Sequence, residues 1–178
     1  MNISAVIVTR GDVDMSPILE SLPFDDIVVW DNSKREDLGL FGRYAAIAEA
    51  KHDVIYTQDD DVLVDCFDQL EQDYRPGVLT TNYPEPYDIP WVARGAIFDS
   101  YLPDLAFTRY DLRWERDEWF HKYGCDGVFA LLSPEVNVVD YGSVDLPHAF
   151  NEGRISTSPG WYTHNRLAIQ ARCERVPA

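Results

Sequence analysis

Apolar and polar stretches alternate at regular spacing through the first sixty residues. Ile3 to Thr9 is a continuous apolar run closed by "TRGD", the pattern of a strand buried on both faces. "DMSPILESL" follows and predicts a short helix, with Asp14 as N-cap and Pro17 in the first turn. "DIVVWD" (Asp26 to Asp31) is a second buried strand, ended by the turn-forming "DNS". "GRYAAIAEAKH" (Gly42 to His52) is Ala-rich, carries Tyr44, Ile47 and Ala48 at helical spacing, and predicts a second helix. "VIYTQ" is a third strand and runs directly into Asp59, Asp60 and Asp61.

Strand, helix, strand, helix, strand at this spacing predicts right-handed βαβ units and an α/β fold with a mostly parallel sheet. Ligands of such sheets bind beyond the carboxyl ends of the strands. Thr9 and Arg10, Asp31 and Asn32, and Asp59 to Asp61 all fall at those ends. The second half is less regular. "GVLTTNY" predicts a strand, "PEPYDIP" a rigid loop, and "WVARGAIF" (Trp91 to Phe98) a further strand. Within that strand, Gly95 allows either a bulge or a close backbone approach. "RYDLRWERDEWFHKYG" has no clean period, "CDGVFALLS" reads as a short helix with Asp126 in its first turn, and "VNVVDY" reads as a last strand. The segment from Gly142 to Asn165 has the length of a lid or binding loop, and "RLAIQARCERV" predicts a terminal helix. No repeat or linker interrupts the pattern, so residues 1–178 are expected to form one domain.

Composition narrows the function classes. Hydrophobic residues make up 46% of the 178, enough for one sizeable core. The net charge of −16 repels phosphate backbones, and no local basic patch offsets it, so no nucleic-acid partner is expected. An anionic ligand then has to be met by a metal or by a few placed arginines. Cys66, Cys125 and Cys173 are odd in number, widely spaced and without a CxxC pair, which suits free thiols and disfavours zinc. No apolar run approaches the roughly 20 residues of a membrane span. "MNISAVIVTRGD" lacks the features of a signal peptide, so a cytoplasmic location is expected.

Three adjacent carboxylates after a buried strand repel one another unless a cation, a helix N-terminus or solvent relieves them. Continued strand alternation would point Asp59 and Asp61 to one side and Asp60 to the other. Two hard oxygen donors on one side can hold Mg²⁺ or Mn²⁺ and leave positions for water and substrate phosphates. The alternative is a solvated acidic cluster. An EF-hand is disfavoured because the DxDxDG loop is missing, and a DxDx[TV] phosphatase because Leu63 stands at the last position.

The series "VIVTR … IVVWDNS … GRYAAI … VIYTQDDDVLV … WVARGAIF … CDGVFALLS" resembles glycosyltransferases of the GT-A fold. It is most similar to the exostosin-type family and more loosely to the family-two group. The resemblance implies a single GT-A domain and a UDP-sugar donor, with a glycan, protein or small molecule as acceptor. It also implies transfer of a hexosyl or N-acetylhexosaminyl group. Carried over by position, Thr9, Arg10 and Asp31 would contact uracil and ribose, and Arg43 would lie near the nucleotide. A solvated arginine in a helix's first turn is the alternative for Arg43. Asp60 would reach the ribose or donor sugar, Asp59 and Asp61 would serve the metal, and Gly95 and Ala96 would line the donor-sugar pocket.

Asp126 resembles the acidic residue that the family sets beside the sugar and acceptor, with Glu115, Asp117 and Glu118 as substitutes. A carboxylate at that position also favours the helix dipole on its own. A late histidine is implied as third metal ligand, His148 ahead of His164, while Trp161 and Tyr162 either close over the donor or pack in the core. If the enzyme inverts, Asp126 is the base; if it retains, Asp126 stabilises the cationic sugar. Two other readings remain: a non-catalytic nucleotide-sugar-binding module, and a sugar nucleotidyltransferase. The second is disfavoured because "TRGDVD" is not a Gly-rich basic loop.

Overall fold

The computed structural model of the chain describes residues 1–83, 91–110, 122–147 and 161–175. The first half follows the periodicity. Strand β1 (Ile3–Thr9) is buried along its whole length and leads through helix α1 (Ser16–Ser21) to β2 (Asp26–Asp31). Helix α2 (Gly42–Ala46) is shorter than expected, because it tightens into a 3₁₀ turn at Ile47–Glu49 before β3 (Val54–Gln58). A two-residue strand β4 (Val62–Leu63), helix α3 (Phe67–Asp73), β5 (Leu79–Asn82), β6 (Ala96–Asp99) and helix α4 (Leu102–Tyr110) come next. Helix α5 (Cys125–Leu132), β7 (Val136–Val139), β8 (Val144–Asp145) and helix α6 (Trp161–Cys173) complete the described chain.

Six strands form one sheet in the order β2-β1-β3-β6-β5-β7. β1 runs parallel to β2 and β3, with Thr9 opposite Asp31 and Ile7 opposite Gln58. β6 is the reversed strand, antiparallel to both β3 and β5, and β7 is parallel to β5. β2 lies on one side of β1 and β3 on the other, so the chain switches direction of winding at β1. A doubly wound sheet opens its ligand crevice at such a point.

The sheet is covered on both faces, which explains why its strands read as unbroken apolar runs. Val6, Ile55 and Phe98 pack with Tyr44, Phe107 and Phe129 on the face of α2, α4 and α5. Their neighbours Ile7, Tyr56 and Ile97 pack with Ile18 and Leu70 on the face of α1 and α3. The period-two alternation therefore separates two apolar layers.

Several boundaries differ from the sequence expectation. The strand expected from Trp91 begins only at Ala96, because Gly95 takes φ +101° and turns the chain into the sheet. A Cβ at Gly95 would also stand 3.2 Å from both the Tyr56 hydroxyl and a Val64 methyl. The long segment after β7 contains β8, and α6 starts at Trp161 rather than after Asn165. Asp14 accepts from the Ser16 amide at 3.0 Å, one residue outside the N-cap position, which Met15 occupies. The three cysteines are free and buried, as expected. Among the described residues no helix is long and apolar enough to cross a membrane. The expected loop at 84–90 and most of the aperiodic stretch, 111–121, lie outside the described residues.

At the amino ends of the strands, Asp26 ties three segments together. It accepts from the Lys51 amide at 2.8 Å and from the Ser4 hydroxyl at 2.6 Å, and Ser4 Oγ accepts from the His52 amide. The Lys51 amide, and next the Ser4 hydroxyl, hold the Asp26 carboxyl down at about 2. Its unfolded value is about 3.9, so this stabilisation is complete above that pH and is lost as pH falls through the folded value. Asp26→Asn should therefore flatten the acid limb of stability measured by urea unfolding from about pH 5 down to about pH 2. An unchanged limb would assign the acid sensitivity to other carboxylates.

Candidate functional site

The carboxyl ends of β1, β2 and β3 deliver Thr9, Asp31 and the acidic triplet to one rim. β3 ends at Gln58, and Asp59 donates its amide to the Ala93 carbonyl at 2.9 Å. Asp60 and Asp61 then form a turn before β4. β3 ends at Gln58 as expected, but the expected alternation of the three carboxylates is corrected, because Asp60 and Asp61 lie in a turn and not along an extended strand. The Asp59 and Asp60 carboxylates are each oriented by their own partner, and Asp61 is held through its backbone. The Thr9 hydroxyl donates to Asp60 Oδ2 at 2.7 Å across the β1–β3 crevice and accepts from the Gly11 amide. Asp59 accepts from the Arg43 guanidinium. The backbone carbonyl of Asp61 accepts from the Leu146 amide at 2.7 Å, continuing the β4–β8 pairing.

Asp31 closes β2 by accepting from the Ser33 amide and hydroxyl and from Lys34 Nζ. The Lys34 ammonium, and next the Ser33 hydroxyl, hold its carboxyl at about 2. Gly11, at φ +85°, crosses so close that a Cβ would stand 2.4 Å from Asp31 Oδ1. Asn32 accepts from the Leu38 amide and donates to the Gly39 carbonyl, which sets the entry into α2. Arg10 is exposed and pairs with Asp12.

Arg43, in the first turn of α2, is fully buried, which overturns the solvated alternative. Its Nη2 bonds Asp59 and lies 3.5 Å from Asp126 Oδ2. Asp126, at the start of α5, is 2% exposed and accepts at Oδ1 from the Tyr44 hydroxyl at 2.7 Å. The two charges respond differently to one environment. Burial opposes the Arg43 charge, but Asp126 and then Asp59 outweigh it and hold the guanidinium above its ordinary value. Burial, helped by the charge of Asp59, pushes the Asp126 carboxyl up against the pull of Arg43. Burial is the main cause at Asp126, and the cation it shares with Asp59 offsets that only in part. Arg43 Nε and Nη1 have no hydrogen-bond partner among the described residues.

The opposite wall is held by Asn82, which is 1% exposed. Its side chain donates to the Arg94 and Gly142 carbonyls, both at 2.9 Å, and accepts from the Tyr141 amide at 2.8 Å. Arg94 in turn donates to Ser143 Oγ and pairs with Asp145, both at 2.8 Å. Through β8 these contacts set the chain that runs beside Asp61.

The structure therefore brings together Thr9, Arg43, Asp59, Asp60, Asp61 and Asp126. Gly95 joins the rim through backbone, its carbonyl accepting from the Asn82 amide at 2.8 Å. Tyr44, Asn82 and Arg94 were not singled out from the sequence as site residues. Tyr44 read as an apolar helix position, and the one signal for Asn82 was an amide inside a β-branched run. His148, Glu115, Asp117 and Glu118 lie outside the described residues, as does the side chain of His164 in α6.

As a metal site, the rim offers carboxylate oxygens, the donors that Mg²⁺ and Mn²⁺ prefer. Among the described residues no three His, Cys, Asp or Glu side chains converge as a ligand set.

No protein-family model matches the chain, and no curated protein matches it in sequence. Solved structures do match. Glucosyl-3-phosphoglycerate synthase from Mycobacterium tuberculosis, in complex with Mn²⁺, UDP-glucose and phosphoglyceric acid, superposes with a TM-score of 0.58 at 10% identity. The match covers 99% of this chain and 81% of that one. The same enzyme with Mn²⁺, UDP and glucosyl-3-phosphoglycerate gives the same values. The chain thus has the GT-A fold, a mostly parallel sheet flanked by helices.

Asn82→Ala removes three side-chain hydrogen bonds from a buried position and leaves their partners unmet. It should lower stability by about 2–3 kcal/mol, measured by urea unfolding. A loss within experimental error would mean that the Arg94 and Ser143 contacts alone hold the wall.

Proposed function

We propose that the chain is a metal-dependent glycosyltransferase that moves a sugar from a nucleoside-diphosphate sugar, a UDP-sugar, to an acceptor hydroxyl. The observation that carries this reading is the juxtaposition of an acidic turn beyond β3 with the buried Asp126, through one arginine, at the crevice of a GT-A sheet. The motif series favours an exostosin-type or family-two lineage and a hexosyl or N-acetylhexosaminyl donor. The similar synthase, whose complexes hold Mn²⁺ with UDP-glucose or UDP, supports the choice of cation and nucleotide.

In this reading Thr9, Arg10 and Asp31 face the nucleoside at the ends of β1 and β2. Asp60, oriented by Thr9, meets the ribose or donor sugar. Asp61 and Asp59 hold the cation, with His148 as a further ligand and His164 as its substitute. When bound, a divalent cation neutralises charge developing on the departing diphosphate. Asp126 faces the anomeric centre. Both of its oxygens are directed to protein donors, Tyr44 at one and Arg43 at the other. That arrangement supports electrostatic stabilisation of a cationic sugar over proton abstraction from the acceptor.

UDP with Mn²⁺ should raise the melting temperature by several degrees at saturating ligand, by mass action, and EDTA should abolish the shift. Asp61→Ala should abolish it as well. Equal stabilisation in EDTA would sink the metal-dependent reading. Asp126→Asn should retain a Mn²⁺-dependent UDP shift while UDP release from UDP-glucose drops about a hundredfold or more, as expected for loss of a transition-state charge. Wild-type protein that binds UDP-sugars but releases no UDP, even with acceptors supplied, is a binding module.

A further inference from the structure

Arg43 is among the largest fully buried side chains in the structure, and arginine is rarely buried to this degree unless paired. Here it joins acids from two distant elements, Asp59 beyond β3 and Asp126 at the start of α5. Its neighbour Tyr44 holds the other oxygen of Asp126. One turn of α2 thus presents a cation to both carboxylates and a hydroxyl to Asp126. Stability gives a weak reason for this arrangement, because well-packed apolar residues replace buried ion networks at little or no loss. Three charges with a net value of −1 and two guanidinium nitrogens without a partner among the described residues are a poor way to fill a core.

We propose that Arg43, assisted by Tyr44, is a positioning residue that yokes the cation-side carboxylate Asp59 to the reacting-centre carboxylate Asp126. It fixes the separation between the diphosphate end and the anomeric end of the donor. This inference rests on the glycosyltransferase reading and adds a residue that acts through others rather than on substrate. One guanidinium nitrogen, Nη2, meets both acids from the end of a rigid, planar and fully buried group, whereas an ammonium is a point charge on a flexible stem. Arg43→Lys keeps the charge and loses the rigid placement of that nitrogen between the two acids. Tyr44→Phe keeps the ring packing against Phe107 and Phe129 and loses only the hydroxyl.

The test compares wild type, Arg43→Lys and Tyr44→Phe in two measurements. Calorimetry with UDP and Mn²⁺ reads binding, and UDP release from UDP-glucose with Mn²⁺ reads kcat and KM. Wild type should bind UDP and release it. Arg43→Lys should keep the Kd for UDP and the KM for donor within about threefold while kcat falls by about a hundredfold, since misplacement of about 1 Å has that effect. Tyr44→Phe should show the same split, with kcat down by about tenfold. Should Arg43→Lys fail to fold, Tyr44→Phe decides. An unchanged kcat, or equal losses in Kd and kcat, overturns the positioning role and leaves the enzyme reading standing. Wild type that releases no UDP overturns both.

Discussion

A guanidinium shut away from water has to be met by negative charge, and the site is organised around meeting that demand for Arg43. Desolvation costs several kcal/mol per ion, and attraction repays it only when the partners are close and well oriented. Asp59 and Asp126 are both delivered to Arg43 by the ends of elements that are themselves buried, β3 and α5. The pairing therefore constrains how α2, β3 and α5 meet. It does so away from water, where burial raises the Asp126 carboxyl while the two acids secure the charge of Arg43.

This arrangement is possible because the sheet holds both of its faces dry. Val6 and Ile7 are each fully buried but belong to opposite apolar layers, as are Ile55 and Tyr56 to within 1%. Polar groups are displaced to the strand ends. At the amino ends they form the Asp26 knot, which joins neighbouring segments and offers structure. At the carboxyl ends the winding switch at β1 keeps β2 and β3 apart beyond the sheet, so their polar residues face a crevice. The Asn82 and Arg94 contacts build its far wall and bring the β8 segment alongside Asp61.

Fold and chemistry stand on different supports. The likeness to glucosyl-3-phosphoglycerate synthase at 10% identity concerns the backbone. One fold carries many activities, and the site residues decide among them. What separates this rim from a generic acidic patch is that its carboxylates are individually oriented: Asp60 by Thr9, Asp59 by Arg43, Asp126 by Tyr44.

The order of β1, α1, β2, α2 and β3 could be read from the chain because apolar periodicity is local, and so could the Asp126 helix. The placement of Thr9, Asp31 and Asp59 to Asp61 on one rim followed from the parallel topology alone. Boundaries were less readable where long-range contacts set them. Gly95 delays the start of β6 to Ala96 at a position where Tyr56 and Val64 would crowd a Cβ, and β4 exists only because β8 pairs with it. The directions of the three acids could not be read either, since Asp59 leaves the strand to bond Ala93 and turns to an arginine from another element. Sequence by itself determined which residues reach the rim, through a hydrophobic pattern that each segment carries within itself. Tertiary structure decided which of them touch, because burial of Arg43 and its pairing with Asp59 and Asp126 exist only once α2, β3 and α5 have packed together.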